Sequence, residues 1–123
     1  MPKILIVEDD PFLLKMYNKK FQVEGFQVET AEDGISGLQK MKTFTPDLVI
    51  MDVMMPKLNG LEAVEKAKSD PATSNIPILI LTNLSAATDA ETAVKKGAVG
   101  FLVKSDTTPT QVITKVKTIL KMS

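Results

Sequence analysis

Side chains that could do chemistry follow four of the apolar segments in this sequence. Glu8 and Asp9 come directly after the first segment, Asp52 after the third, Thr82 after the fourth and Lys104 after the fifth. The chain contains no cysteine and no histidine, so carboxylates, hydroxyls and amines are the groups left for catalysis or metal binding. The sequence therefore predicts oxygen-based chemistry rather than thiolate or imidazole chemistry.

Asp52 is the most informative of these acids. It ends the apolar run Leu48–Met51 and has no basic neighbour, so its charge needs partners from elsewhere in the chain. If the first and third segments are neighbouring strands, Asp9 and Asp52 converge, with Glu8 close behind. Several carboxylates can share one site when a hard divalent cation neutralises them, and an oxygen-only ligand set suits Mg²⁺ better than Zn²⁺. The acids therefore predict a metal site.

A carboxylate can attack phosphorus and form an aspartyl phosphate. In such a site Asp52 would be the nucleophile, Lys104 would pair with one phosphoryl oxygen, and the Thr82 hydroxyl would hydrogen-bond another. Each residue alone also has a structural explanation, as a loop acid, a helix cap or a solvated strand end. For Asp10 that explanation is favoured, because it precedes Pro11 and a helix N-cap is often followed by proline.

The elements that would position these residues alternate as strand and helix. The predicted strands are Lys3–Val7, Phe26–Thr30, Leu48–Met51, Ile76–Leu81 and Val99–Val103. The predicted helices are Phe12–Val23, Ile35–Phe44, Leu61–Ser69, Ala87–Lys96 and Thr110–Met122. Right-handed crossovers fold this α/β order into a doubly wound parallel sheet, whose working residues lie at the carboxyl ends of the strands.

Length and composition narrow the classes of function. The 123 residues predict a single domain spanning residues 1–123. The chain has 15 basic and 15 acidic residues, so nothing in its charge favours nucleic-acid binding. No apolar run approaches the ~20 residues that cross a bilayer, so membrane insertion is not expected. The absence of cysteine fits a cytoplasmic protein.

Four segments resemble the receiver domain of two-component response regulators, and the chain is similar to the single-domain chemotaxis regulator. They are ILIVEDDP, PDLVIMDVMMPKLNG, ILILT and GAVGFLVK. The resemblance covers essentially the full length. It implies a flavodoxin-like fold with five parallel strands in the order 2-1-3-4-5 and five helices.

The resemblance also implies a role for each site residue. Asp52 would be the phosphoacceptor, Asp9 a direct ligand of Mg²⁺ or Mn²⁺, and Glu8 a ligand acting through water. The backbone carbonyl of Met54 would be a further ligand. The family's hydroxyl, amine and switching aromatic positions would be occupied by Thr82, Lys104 and Phe101.

The implied partners follow from the same resemblance. A sensor histidine kinase or a histidine phosphotransfer protein would supply the phosphoryl group. An output protein would bind the face formed by the fourth helix, the fifth strand and the fifth helix. The chain would be a signalling receiver that takes part in its own phosphorylation and dephosphorylation rather than an enzyme with a separate substrate.

Departures from the family pattern leave some features open. Ser105 stands where the family has proline after the lysine; a cis bond before a non-proline residue costs about 3 kcal/mol, so the cost is met locally or the bond is trans. Asn83 follows Thr82 where a small residue is usual, and its amide could contact or crowd a phosphoryl group. By the same resemblance, Met54 and Leu84 lie at positions that control the access of water, and their large apolar side chains predict slow dephosphorylation.

Two other functions compete with this interpretation. Aspartate-nucleophile phosphatases also use an Asp after a strand with Mg²⁺, but they have a second acid two residues later, where this chain has Met54. A pseudo-receiver that acts as an interaction module without phosphorylation is the main alternative, because of Ser105 and Asn83. A nucleotide-binding site is disfavoured, because the turn after the first strand is acidic rather than glycine-rich.

Overall fold

The computed structural model of the protein describes residues 1–55 and 57–122. Pro56, which belongs to the second of the four family segments, and Ser123, the last residue of the predicted domain, lie outside the described residues. The strands are β1 (Lys3–Val7), β2 (Gln27–Ala31), β3 (Leu48–Met51), β4 (Ile78–Thr82) and β5 (Gly100–Val103). They form one parallel sheet in the order β2-β1-β3-β4-β5.

Helices cover both faces of this sheet. In the described part of the chain they are α1 (Pro11–Val23), α2 (Gly34–Phe44), α3 (Gly60–Ser69), α4 (Ala87–Lys95) and α5 (Pro109–Ile119). Short 3₁₀ helices over Leu84–Ala86 and Lys104–Asp106 follow β4 and β5. This architecture confirms the predicted flavodoxin-like, doubly wound fold and its strand order.

Two hydrophobic layers hold the helices against the sheet. Alternate residues of β1 divide between them, because successive side chains of a strand point to opposite faces. Leu5 and Val7 belong to the layer that packs against α2, α3 and α4. Ile4 and Ile6 belong to the layer that packs against α1 and α5. Strands buried on both faces read as continuous aliphatic runs, which explains the composition of β1, β3 and β4.

Capping side chains start α1 and α5. The Asp10 carboxylate accepts hydrogen bonds from the backbone N–H groups of Phe12 (2.9 Å) and Leu13 (3.4 Å), which confirms Asp10 as the N-cap of α1. Thr108 and Gln111 form a reciprocal capping box at the start of α5. Both caps satisfy N–H groups that have no partner within the helix.

Two elements differ from the prediction by more than one residue at an end. β4 begins at Ile78 rather than Ile76, because the Ile76 N–H bonds to the Thr73 carbonyl (3.0 Å) in the preceding loop and Pro77 has no N–H. The last helix ends at Ile119 rather than Met122, since Lys121 adopts a left-handed conformation (φ 58°) that does not continue a helix.

Candidate functional site

The sheet brings the carboxyl ends of β1 and β3 together. Val7 of β1 is in register with Met51 of β3, so the next residues, Glu8 and Asp52, lie side by side. The Asp52 N–H donates to the Val7 carbonyl (3.1 Å), which extends the strand pairing by one residue. Residues far apart in the sequence are thus adjacent at this edge.

Three carboxylates converge here. Glu8, Asp9 and Asp52 each offer an oxygen, and these oxygens all lie within 4.8 Å of one another. Glu8 and Asp52 are buried, each with 5% of its surface exposed, whereas Asp9 is exposed. The structure therefore brings together the three acids that the sequence predicts as one group.

Lys104 lies among these acids. Its Nζ donates to Asp52 Oδ2 (2.8 Å) and to Glu8 Oε1 (2.5 Å), and only 13% of its side chain is exposed. The pairing with Glu8 was not predicted from the sequence. One ammonium group beside three carboxylates leaves two net negative charges, which is the charge that a divalent cation would balance.

The pKa values of Glu8 and Lys104 reflect burial and their mutual attraction. Burial alone would lower the pKa of Lys104, but its hydrogen bonds to Asp52 and Glu8 outweigh that effect and raise the pKa above its ordinary value. Burial raises the pKa of Glu8, and the hydrogen bond from Lys104 offsets this only in part. Lys104 is therefore charged at neutral pH.

Backbone N–H groups fix the orientation of both buried acids. The Met54 N–H donates to Asp52 Oδ1 (3.0 Å), and the Asp10 N–H donates to Glu8 Oε2 (3.1 Å). With Lys104 bound to their other oxygens, neither carboxylate can rotate without breaking a hydrogen bond. The site is thus held in one geometry before any ligand arrives.

The start of α3 supports the backbone of Asp52. The Gly60 N–H donates to the Val53 carbonyl (2.8 Å), and a Cβ at Gly60 would lie 2.4 Å from the Asp52 carbonyl oxygen. Only glycine permits this approach, because real Cβ contacts essentially never fall below 3.0 Å.

The loop between β3 and α3 is anchored to the start of α2. A Cβ at Gly34 would lie 2.1 Å from the Leu58 carbonyl oxygen, so the two backbones are in close contact. Lys57 forms a salt bridge with Asp33 (3.5 Å). The Ser36 N–H donates a hydrogen bond to Asp33 Oδ1 (2.8 Å). This bond and the charge of Lys57 lower the pKa of Asp33.

Two cavities open at this edge. One, of about 380 Å³, contains the acids and is lined by Glu8, Asp9, Asp10, Leu13, Asp52, Met54, Asn83 and Lys104. The other, of about 640 Å³, is lined by Asp9, Val53, Met54, Met55, Asn59, Leu61 and Asp89. We call them the acidic cavity and the outer cavity. The sequence did not lead to a prediction of Leu13 as a site residue. Its position in the first turn of a helix that starts at this edge was a signal that could have identified it.

Thr82 and Phe101 share one face of the sheet. Ile80 pairs with Phe101 across β4 and β5, and Thr82 is two residues beyond Ile80, so its side chain points to the same side. Thr82 is fully buried, and its Oγ1 has no hydrogen-bond partner among the described residues. Phe101 is half-buried and packs against the layer beneath α3 and α4.

The departures from the family pattern have structural outcomes. Within residues 1–55 and 57–122 no peptide bond is cis, so the Lys104–Ser105 bond is trans, and Lys104 still reaches both acids. Asn83 lines the acidic cavity, and its side chain makes no capping hydrogen bond. Met54 and Leu84 are 55% and 67% exposed.

The residues present fit a hard divalent cation. All the candidate ligands are oxygens, the cluster carries two surplus negative charges, and the exposed Asp9 gives access from solvent. The unpartnered Thr82 Oγ1 gives the same edge a buried hydroxyl with unused hydrogen-bonding capacity. Together these groups can bind an anion through an amine, a hydroxyl and a cation.

Comparisons with known proteins agree with the observed fold. The family model described as "Response regulator receiver domain" matches residues 4–117, and the chain belongs to this family. It is 37% identical over its whole length to the "Transcriptional regulatory protein CpxR homolog" of Haemophilus influenzae, covering 52% of that protein. It is 36% identical to "Protein PilH" of Pseudomonas aeruginosa, over 85% of this chain and 86% of that protein.

Several curated relatives are longer than the matched region. The chain spans 43% of a cyanobacterial relative, the "DNA-binding dual master transcriptional regulator RpaA" of Synechocystis, with 35% identity over 85% of this chain. Together with the match to the CpxR homolog, this means that the chain spans about half the length of these relatives.

Solved structures show the same architecture. A putative response regulator from Chloroflexus aurantiacus superposes with a TM-score of 0.89 at 29% identity, covering 98% of both chains. The chemotaxis protein CheY4 of Vibrio cholerae superposes with a TM-score of 0.86 at 32% identity, covering 95% of this chain and 97% of that one. No helix in the described residues has the length and apolar character needed to cross a bilayer.

Proposed function

We propose that this receiver domain, spanning residues 1–123, accepts a phosphoryl group on Asp52 from the histidine of a sensor kinase or a histidine phosphotransfer protein. The observation that supports this most is the group formed by Glu8, Asp9, Asp52 and Lys104 at the carboxyl edge of the sheet. A nucleophile, a place for a cation and an amine for the phosphoryl oxygens are within reach of one another.

Transfer would take place on a carboxylate that is already oriented. An Asp52 oxygen attacks phosphorus, the bond from phosphorus to the donor's imidazole nitrogen breaks, and its electron pair stays on that nitrogen. Lys104, which already contacts Asp52, exchanges a carboxylate oxygen for a phosphoryl oxygen. The Met54 N–H holds the other Asp52 oxygen during this exchange.

The acids would hold Mg²⁺, or Mn²⁺ in its place. Asp9, Asp52 and the Met54 carbonyl would be ligands, and Glu8 would act through water while remaining paired with Lys104. When bound, such a cation supplies compensation for the negative charge on the phosphoryl oxygens. The acids then orient the cation, and Lys104 offsets the charge that remains.

The conformational response would begin at Thr82. Its unpartnered hydroxyl gains a hydrogen bond by moving toward a phosphoryl oxygen, and this movement leaves space on the face that it shares with Phe101. Phe101 turns into that space, which changes the surface formed by α4, β5 and α5. An output protein would bind that surface. To change the ratio of active to inactive conformers from 1:99 to 99:1, phosphorylation must favour the active conformer by about 5.5 kcal/mol.

Acetyl phosphate tests this proposal directly. Incubation with Mg²⁺ is expected to add one phosphoryl mass, on the peptide that contains Asp52. Omitting Mg²⁺ or substituting Asp52→Ala should prevent the addition. Asp47→Ala is a matched control, because Asp47 is an exposed acid at the opposite edge of the sheet, where it binds the Lys3 N–H (2.7 Å). A chain that stays unmodified would instead be an interaction module without phosphorylation.

A further inference from the structure

Met54 is an exposed methionine at the phosphoacceptor site. Its side chain is 55% exposed, and it lines both the acidic cavity and the outer cavity, a property that it shares with Asp9 alone among the lining residues. We propose that Met54 is a site of oxidation by peroxide, and that its sulfoxide hastens loss of the phosphoryl group from Asp52. The second half of this inference rests on the proposed function.

The exposure and position of the other methionines explain why Met54 is the one expected to be oxidised near Asp52. The oxidation of a thioether follows its exposure. Met41 and Met51 are fully buried at 0% exposure, which protects them. Met1 is more exposed, at 85%, but it precedes β1 and lies at the opposite edge of the sheet. The remaining three, Met16, Met55 and Met122, are half-buried. Exposure and proximity to Asp52 coincide at Met54.

The oxidation itself needs only hydrogen peroxide. A lone pair of the Met54 sulfur attacks one peroxide oxygen, the O–O bond breaks, and the transferred OH group gives its proton to the departing hydroxide. The products are methionine sulfoxide and water. The sulfur is oxidised by two electrons and the peroxide is reduced by two, so no further reductant or metal is required.

The change in polarity occurs where the acidic cavity is least polar. Met54 and Leu13 are its apolar lining residues, and the others are charged or carry an amide. A thioether is a weak acceptor, whereas a sulfoxide oxygen is polar and accepts hydrogen bonds. The Met54 N–H is bonded to Asp52 Oδ1, so the modified side chain starts beside the acceptor carboxylate. It can therefore hold water next to an acyl phosphate on Asp52.

We expect the half-life of the phosphorylated chain to fall about fivefold, which corresponds to about 1 kcal/mol of activation free energy. One hydrogen bond of ordinary net strength has this size. Treatment with both methionine sulfoxide reductases, one for each sulfoxide epimer, should restore the original half-life, because together they return the sulfoxide to a thioether.

The experiment has two independent measurements. The folded chain is treated with hydrogen peroxide, and peptide mass mapping follows the gain of one oxygen at each methionine. Treated and untreated chains are then loaded with acetyl phosphate and Mg²⁺, and intact mass follows the decay after the donor is removed. Met54→Leu keeps an apolar side chain of similar volume that peroxide does not oxidise, so its decay should be the same before and after treatment. Met55→Leu is the matched control and should keep the response.

Each outcome decides one claim. Oxidation of Met54 no faster than that of Met41 and Met51 overturns the modification site, whether or not the chain is phosphorylated. Rapid oxidation of Met54 with an unchanged half-life, or an undiminished peroxide response in Met54→Leu, overturns its effect on the phosphoryl group. A chain that never takes up a phosphoryl group overturns the proposed function and this second effect, while the peptide map still decides the first.

Discussion

Lys104 determines how three acids can coexist at one edge of the sheet. Its ammonium group contacts the two buried carboxylates, Glu8 and Asp52, and leaves the exposed Asp9 without that compensation. Removing a partner from a buried ion pair is costly because an unpaired charge remains. Lys104 therefore supplies the positive charge that the two buried acids need for folding, and a divalent ion would add stability to a site that already exists.

Magnesium should stabilise the folded chain through Asp9. A ligand that binds only the folded state, present at a concentration of about 100 times its Kd, adds about 2.7 kcal/mol to the free energy of unfolding. We expect Mg²⁺ to raise the Tm of the natural sequence, and Asp9→Asn to lose most of this increase because one ligand carboxylate is gone. The measurement is thermal unfolding across a MgCl₂ titration. Asp89→Asn, an acid of the outer cavity alone, should keep the full response; an equal response in Asp9→Asn contradicts the assignment.

Thr82→Val should stabilise the unphosphorylated chain. The substitution replaces a buried hydroxyl that has no partner among the described residues with a methyl group of similar size. A buried unsatisfied group costs about 1–3 kcal/mol, so we expect the free energy of unfolding to rise by about 1 kcal/mol. Urea unfolding measures this.

Thr73→Val is the matched control for that substitution. Thr73 is equally buried, but its Oγ1 donates to the Ala67 carbonyl (2.7 Å). The same chemical change should therefore lower the free energy of unfolding at position 73. Destabilisation at both positions would mean that the Thr82 hydroxyl has a partner in solution.

Asp33→Ala should cost more stability at neutral pH than in acid. Asp33 caps α2, and loss of such a cap costs about 1 kcal/mol. Because the folded-state pKa of Asp33 is lowered, its contribution is complete above the unfolded-state pKa of about 3.9 and is lost as pH falls through the folded-state value. Urea unfolding of the variant and the natural sequence at pH 7 and near pH 3 measures how far the difference between their free energies of unfolding decreases in acid.

An uncharged cap provides the control for the pH dependence. Asn59 caps α3 through its side-chain oxygen, which accepts from the Glu62 N–H (2.9 Å). Since Asn does not titrate, Asn59→Ala should cost the same at both pH values. A cost at Asp33 that stays constant into acid would show that its charge contributes nothing to the cap.

At this scale, the sequence predicts which acids meet but not how they pair. Asp52 lies between apolar residues and needs distant partners, which was enough to predict its convergence with Asp9 and Glu8. The pairing of Lys104 with Glu8 was not predicted, because spacing along the chain does not say which oxygen a flexible lysine will reach. Their chemical roles remain predictions.

At the scale of elements, α3 supports the end of β3, where Asp52 lies. Its first residue, Gly60, touches the backbone that carries Asp52. The loop between β3 and α3 is anchored in turn to the start of α2 through Lys57 and Asp33. The Asp52 carboxylate thus lies on a segment fixed by two helices.

Gly60→Ala should displace that segment. Its Cβ would lie 2.4 Å from the Asp52 carbonyl oxygen, so backbone must move. Such overpacking should lower the free energy of unfolding by about 3 kcal/mol, which urea unfolding measures. It should also slow phosphorylation by acetyl phosphate, which intact mass measures. At Gly100 of β5 a Cβ would meet its nearest atom at 4.0 Å, so Gly100→Ala is the control and should be tolerated. Normal phosphorylation of Gly60→Ala would argue against this support.

The elements themselves were predictable to a different degree than these contacts. Aliphatic runs and caps predicted most boundaries to within one residue. The start of β4 was wrong because the apolar Ile76 looks like a strand residue, and its hydrogen bond to Thr73 depends on the fold of the loop. The approach of Gly34 to Leu58 was likewise invisible, since it joins segments distant in sequence.

At the scale of the whole molecule, the site and the face proposed to bind an output protein involve the same neighbouring strands. Lys104 directly follows β5, and Thr82 is the last residue of β4. Both of these strands contact α4. A movement at the site therefore has a short path to the surface formed by α4, β5 and α5.

Hydrogen exchange should detect this response. A beryllofluoride mimic with Mg²⁺ is expected to change the exchange of amides in α4 and β5, while those in β2, at the opposite side of the sheet, stay unchanged. Thr82→Ala should reduce the change in α4 and β5, because it removes the hydroxyl proposed to couple the site to Phe101. An undiminished response in Thr82→Ala would mean that the coupling takes another route.

The two salt bridges of Lys104 also have a mechanical meaning. They connect the end of β5, an outermost strand, to the ends of β3 and β1 across the top of β4. A phosphoryl oxygen that competes for the same ammonium group would weaken this tether. The reaction would then make the border of the sheet more compliant at the moment when its outer surface must be reshaped for a partner.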